Sequence, residues 1–187
     1  IFVSPASSTV TICSGTSASL TATTSSTNEL TWYDVQTGGT PQVLTYNIPY
    51  TTPALSSNKT FYVAARTIGC SNESLRVPVN VIINNISPGV IGTSQEICFG
   101  TKPIKFTSTT VATASGTISY QWQKSTVNND SSYSDISGEI SEDYVESSIL
   151  NQTIYYRRIA TSTLNGVACS EVSNAITVTV NPLPNPP

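Results

Sequence analysis

Cys13-Ser14-Gly15-Thr16 returns as Cys98-Phe99-Gly100-Thr101, 85 residues later, and the runs after the first copy return in the same order after the second. Each copy leads into a run ending in paired threonines, Leu20-Thr21-Ala22-Thr23-Thr24 and Phe106-Thr107-Ser108-Thr109-Thr110. A tryptophan run comes next, Thr31-Trp32-Tyr33 and Tyr120-Gln121-Trp122. A threonine-led aromatic run succeeds it, Thr60-Phe61-Tyr62-Val63 and Thr153-Ile154-Tyr155-Tyr156. A second cysteine, Cys70 or Cys169, and a valine- and isoleucine-rich run, Val77 to Ile83 or Ile176 to Val180, close each copy. One module is written twice, and self-similarity of this kind outranks any local reading.

Within a copy the pattern is β throughout. Ala18, Leu20 and Ala22 alternate with polar residues, and so do Val77, Val79, Val81 and Ile83; a period of two marks half-buried strands. Residues 1–12 read as a first strand, with Pro5 tolerable only at an edge or a break. Pro78 lacks an N–H and therefore requires an open flank on its strand. About seven short strands per copy, separated by Gly, Asn and Ser turns, are the signature of a β-sandwich. The second copy is longer in two places: a polar insertion over 128–135 and the approach to Cys169 over 161–166. We expect an all-β chain of two tandem antiparallel sandwiches, over 1–83 and 84–181. A proline-rich linker over 182–187 would lead to a further module. The junction at Asn84-Asn85 is too short for free rotation, which predicts a stiff rod.

Composition narrows the function. The chain has 187 residues, only 10% of them charged, a net charge of −3 and no histidine. Nothing basic is clustered, which argues against nucleic acid, and no apolar run reaches the ~18–20 residues of a membrane span. Without histidine, Ser-His-Asp and Cys-His nucleophile systems are excluded. Paired carboxylates remain the one catalytic device open to the chain, but its acids fall on predicted loops and strand edges, so no enzyme is expected. A start inside a strand and the lack of methionine suit a fragment of a longer chain.

Four cysteines, two per copy, allow three pairings. The repeat favours Cys13–Cys70 and Cys98–Cys169, one bridge per sandwich. In the chain-entropy account each closed loop is worth about 4 kcal/mol. Bridges of this kind imply an oxidising, extracellular setting. No metal or cofactor is expected, with calcium as the alternative: Asp130, Asp135, Glu139, Glu142, Asp143 and Glu146 crowd one region, and hard cations take oxygen ligands from such loops, but Asp-x-Asp-x-Asp spacing is lacking and acids at the surface of an acidic protein are ordinarily just solvated. Tyr33, Tyr46, Tyr50, Tyr133 and Tyr144 are candidate stacking platforms for sugar, although tyrosine is an ordinary strand residue. Trp32 and Trp122 read as core. Asn58, Asn72, Asn129 and Asn151 begin glycosylation triplets of the sort that arise by chance in an Asn/Thr-rich chain.

The first copy resembles the Ig-like repeats of Bacteroidetes cell-surface proteins. The likeness lies in Cys13-Ser14-Gly15-Thr16, Leu20-Thr21-Ala22, Trp32-Tyr33-Asp34, Gly38-Gly39-Thr40, Thr60-Phe61-Tyr62-Val63-Ala64, Gly69-Cys70-Ser71 and Arg76-Val77-Pro78-Val79. The second copy is similar to the related PKD-like repeats, through Tyr120-Gln121-Trp122-Gln123-Lys124-Ser125, Tyr155-Tyr156-Arg157-Arg158, Ala168-Cys169-Ser170, Ser173-Asn174 and Val180-Asn181-Pro182. Such modules form long adhesins exported by the type IX secretion system, of which the SprB-type gliding-motility adhesins are an example. The resemblance implies a structural or adhesive repeat at the cell surface, serving surface attachment or gliding motility. Its partners would be neighbouring repeats of the same chain and surface polysaccharide. The alternative is a carbohydrate-binding or accessory module of a secreted polysaccharide-degrading enzyme. Unlike antibody domains, each first cysteine precedes its strand and each second comes after the aromatic run, so the bridges are expected to tie loops at one end of each sandwich.

Overall fold

The computed structural model describes residues 2–45 and 48–183. Tyr46 and the end of the proline-rich tail lie outside the described residues. The chain divides into two units, Ile1–Asn84 and Asn85–Pro187.

The first unit contains β1 (Val3–Pro5), β2 (Thr9–Cys13), β3 (Ser19–Leu20), β4 (Ala22–Thr24), β5 (Asn28–Tyr33), β6 (Val43–Thr45), β7 (Tyr50–Thr51), β8 (Lys59–Thr67) and β9 (Val77–Asn84). One sheet runs β2-β9-β8-β5-β6. All its pairs are antiparallel except β2 with β9, which is parallel. The facing layer is built from β1 on β4 and β3 on β7. The alternating residues meet between the layers: Ala18, Leu20, Ala22, Leu30, Trp32, Phe61, Val63, Val79, Val81 and Ile83 are all buried. Trp32 is fully buried and stacks on Tyr50, with ring centroids 5.7 Å apart. Truncating such an aromatic costs about 3–5 kcal/mol.

The first strand proves to be two. β1 stops at Pro5, and the chain crosses to the other sheet before β2 begins at Thr9. A residue without an N–H ends a ladder at little cost, which makes Pro5 the natural crossing point. Pro78 lies opposite Tyr62 of β8, while β2 covers the other flank of β9 only from Asn80 onward. The open flank that this proline requires is therefore present.

The second unit contains β10 (Ile86–Ser87), β11 (Val90–Ile91), β12 (Gln95–Cys98), β13 (Ser108–Thr110), β14 (Thr113–Ala114), β15 (Thr117–Ser125), β16 (Ser134–Asp135), β17 (Ile154–Leu164), β18 (Val167–Val172) and β19 (Ile176–Asn181). Its larger sheet runs β12-β19-β17-β15-β16, with β18 paired to the far half of β17. β10 on β14 and β11 on β13 make up the facing layer. Trp122 is fully buried among Phe106, Tyr144 and Tyr156. The 161–166 stretch is a hairpin rather than a loop. Asn165 and Gly166 both have positive φ, at 50° and 78°, as a two-residue turn matching strand twist demands. Cys169 therefore sits inside β18, opposite Ser162. The 128–135 insertion holds one turn of 3-10 helix, Asp130–Ser132, capped by the Asn129 side chain.

The repeated tetrapeptide is the same device in both units. Gly15 and Gly100 have φ of 77° and 75°, a region that L side chains avoid. The Thr16 and Thr101 hydroxyls donate to the Cys13 and Cys98 carbonyls at 2.7 Å in each case. The Gly15 and Gly100 amides donate to Leu55 and Leu150 carbonyls, both at 2.8 Å. The glycine allows the bend and the threonine closes it.

Candidate functional site

The expected bridges are not formed. Cys13 and Cys169 are disulfide-bonded, while Cys70 and Cys98 are exposed free thiols. Register explains why neither unit closes its own bridge. Cys13 stands opposite Asn84 at the last rung of β9, three residues beyond Val81, which faces the first residue of β8, Lys59. Cys70 comes after the other end of β8, its amide donating to Thr67 carbonyl at 2.9 Å. The nine residues of β8 therefore separate them, ~30 Å at ~3.3 Å per residue. In the second unit Cys98 stands opposite Asn181, beyond the Ile154–Val178 rung, whereas Cys169 pairs with Ser162, eight residues further along β17. That is at least ~26 Å, and a disulfide needs Cα atoms within about 7 Å. The repeat shows which residue types recur; it carries nothing about which end of the sheet each occupies. The loops of one end are accordingly not tied together within either sandwich.

The acids over 130–146 do not converge. Asp130 pairs with Arg157 at 2.8 Å and is otherwise fully exposed. Asp135 accepts from Gln123 Nε2 at 2.7 Å, and Asp143 pairs with Lys105 at 2.8 Å. Glu142 uses its backbone carbonyl to accept from Arg158. Among the described residues no three His, Cys, Asp or Glu side chains gather as a metal site.

Glu146, the last of these acids, is buried instead. Its Oε2 accepts from the hydroxyls of Tyr144 and Tyr156, at 3.0 and 3.1 Å, and from Lys124 Nζ at 3.1 Å; Oε1 accepts from the Ser148 amide at 3.0 Å. Burial by itself pushes a carboxyl pKa up. Here the Ser148 amide, Lys124 and Tyr144 outweigh burial and hold Glu146 below the ordinary carboxylate range. Burial and the facing carboxylate push both tyrosine hydroxyls up.

Arg158 is fully buried on the same strand as Tyr156. Its Nη1 donates to Ser108 Oγ at 2.9 Å and to the Glu142 carbonyl, and its Nη2 to the Pro88 carbonyl at 3.1 Å. The guanidinium lies 4.4 Å from the Tyr120 ring centroid. Burial lowers its pKa. Three separate stretches are thus pinned to β17 by one side chain. Alternation contained the signal for this: Ile154 and Tyr156 face inward, so Arg158 joins them and Arg157 points out.

The aromatic candidates are mostly spent on packing. Tyr33, Tyr50 and Tyr144 are buried. Tyr133 is half-buried under the Arg157 guanidinium, 4.0 Å from its ring centroid. Tyr33 donates to Glu73 and is covered by Arg76. Asn58 accepts from the Ile83 amide at 2.7 Å, a structural task for one of the glycosylation triplets.

Paired sheets, inward tryptophans and a strand that switches layers define Ig-like β-sandwich modules, a class that serves structural and adhesive roles. Residues 87–182, more than half of the chain, match the family described as "Domain of unknown function (DUF8696)", and the chain belongs to it. Residues 3–84 match the family "Ig-like domain CHU_C associated". No curated protein matches the sequence. Among solved structures, the chain is similar to the three N-terminal domains of the bacteriophage RB49 Highly Immunogenic Outer Capsid protein (Hoc), with a TM-score of 0.59 and 12% identity. That likeness covers 96% of this chain and 70% of that one and shows the fold alone. The N-terminal four Ig domains of Dscam1 isoform 1.9 match at 15% identity, over 92% of this chain and 43% of theirs, with a TM-score of 0.37. Among the described residues no helix is long and apolar enough to cross a membrane. The disulfide-bonded cysteines speak for a compartment outside the cytoplasm.

Proposed function

We propose that this chain is a structural and adhesive repeat segment of a long bacterial cell-surface adhesin filament, acting in surface attachment or gliding motility. The observation that carries the reading is the fate of the aromatic residues. Trp32, Trp122, Tyr33, Tyr50 and Tyr144 are all buried. Sugar-binding modules need exposed aromatic faces on which to stack a ring, and of the candidates for that role Tyr33, Tyr50 and Tyr144 serve packing. The strands are short and rich in threonine and serine, and only 10% of the residues are charged, which suits a spacer that must stay folded outside the cell. Partners under this reading are neighbouring repeats of the same chain and surface polysaccharide.

The test is to blot whole and protease-shaved cells with an antibody to this segment. A band of very high mass that shaving removes supports the filament. A modest soluble band in the medium overturns it and favours an accessory module of a secreted enzyme.

A further inference from the structure

β5 and β15 are the same strand in the two units, carrying Trp32 and Trp122. Each pairs on one flank with the long aromatic strand of its own unit, β8 or β17. Their other flanks differ. In the first unit β6 lies along that flank antiparallel, with Leu30 opposite Thr45 and Trp32 opposite Val43. In the second unit the corresponding cover stops short. β16 faces only Gln123 and Lys124. The strap after it takes Trp122, whose amide donates to the Glu139 carbonyl at 2.9 Å and whose carbonyl accepts from the Ile136 amide at 2.8 Å. Among the described residues no strand pairs with the same flank over Thr117 to Gln121.

The bonds around β15 fix which groups face that opening. Trp122 directs both main-chain groups away from β17. Arg158, opposite it on β17, accepts from the Ser173 amide at 2.9 Å and so faces away from β15. In an antiparallel ladder alternate residues bond to alternate sides. Ile118 and Tyr120 therefore present their N–H and C=O groups outward, where no described main-chain group meets them. Such an edge is a template for another strand, and proteins ordinarily blunt it with lysine, proline or a bulge. Here the residues from Thr117 to Gln121 include no charge and no proline. They keep unbroken register with β17, and all are exposed or half-buried.

We propose that this flank pairs with the same flank of a second copy of the chain, antiparallel, with Ser119 on the two-fold axis. The length of the opening selects that occupant, because an incoming strand must end at the strap on Trp122. β15 laid against itself does so. With Ser119 opposite Ser119, Gln121 meets Thr117, the first residue of the other copy's strand, and Trp122 meets Gly116, which has no side chain. From there the other copy's chain leaves the edge for its facing layer, where the Ser115 amide donates to the Asn85 carbonyl at 2.9 Å and β14 pairs with β10. Ile118 of each copy exchanges its main-chain bonds with Tyr120 of the other. The side chains agree: a β-branched residue faces an aromatic one, Thr117 faces Gln121, and no like charges are opposed. The contact is isologous and closes at two copies. It goes beyond the adhesive role and does not rest on it, since a monomer would leave the cell-surface blot unchanged.

The experiment uses the whole chain in a C70S/C98S background, so that no free thiol interferes. Sedimentation equilibrium over a concentration series should show monomer and dimer. S119K sets two ammonium groups opposite each other and should raise the dissociation constant about fivefold. T117K/Q121E sets each lysine against a glutamate and should keep the dimer or tighten it. None of these positions is buried, and matching thermal melts confirm folding. Register is read by S119C. Facing residues of a non-hydrogen-bonded pair have Cα atoms about 4.5 Å apart, within disulfide reach. Oxidation should join the two introduced thiols at 119 faster than those of S147C, an exposed position off the strand. A chain that is monomeric at every concentration and cross-links no faster at 119 than at 147 overturns the proposal. A dimer that S119K leaves intact overturns it too, because the contact then lies elsewhere.

Discussion

Tyr156 donates its hydroxyl to Glu146 at 3.1 Å inside the second unit, and both residues are almost wholly buried. Glu146 arrives from a stretch without regular structure, Tyr156 from β17. A buried carboxylate survives only where its lone pairs are occupied, and here four donors occupy them. The pair fastens the irregular 141–150 segment to the sheet.

Removing the carboxylate therefore costs more than removing one donor. Glu146→Ala should destabilise the second unit by about 3–5 kcal/mol, because it strands two buried hydroxyls and Lys124. Tyr156→Phe, which removes a single hydrogen bond, should cost about 1 kcal/mol. Calorimetry on the whole chain checks both. If the second unit's transition stays put in the alanine variant, the network is incidental.

The same group sets an acid limit. Its folded pKa lies below the unfolded value, so between the two the unfolded chain binds the extra proton and stability rises with pH. The contribution is complete above the unfolded carboxyl pKa of ~4.3 and is lost as pH falls through the lowered folded value. The gap in melting temperature between wild type and Glu146→Gln should therefore be flat near neutral pH and narrow only in strong acid. A gap that widens on acidification would contradict the assignment.

Arg158 holds three acceptors that no smaller side chain reaches together: Ser108 Oγ and the carbonyls of Glu142 and Pro88. Arg158→Lys loses the planar fork and the stacking on Tyr120. We expect a loss of about 1–3 kcal/mol, the range for leaving buried polar groups unpaired. Urea unfolding monitored by Trp122 fluorescence, in a Trp32→Phe background, measures it.

The hairpin between β17 and β18 depends on its turn. Gly166→Ala places a Cβ at φ 78°, and about 1 kcal/mol of destabilisation is expected. Faster amide exchange from Val167 to Val172 would accompany it. No change in exchange would mean that the turn does not hold the strand.

The cysteine state is directly countable. Alkylation of the native chain under non-reducing conditions should modify two residues, Cys70 and Cys98. After denaturation and reduction all four should react. Modification of none in the native chain would contradict the free state of Cys70 and Cys98.

Periodicity and repetition alone determined the class of the protein. Ala18-Leu20-Ala22 and Val79-Val81-Ile83 point inward wherever they are placed, because a strand turns alternate side chains to one face. The twin Cys-x-Gly-Thr turns, the buried tryptophans and the open flank at Pro78 are equally local facts. The tertiary structure alone decided which residues meet. Cys13 and Cys70 fall in one unit, yet the length of β8 lies between them. The acids that crowd 130–146 in sequence scatter to Arg157, Gln123 and Lys105, and one of them, Glu146, turns into the core. Register across strands distant in sequence sets those distances, and that register is a property of the assembled sheets, not of any stretch within them.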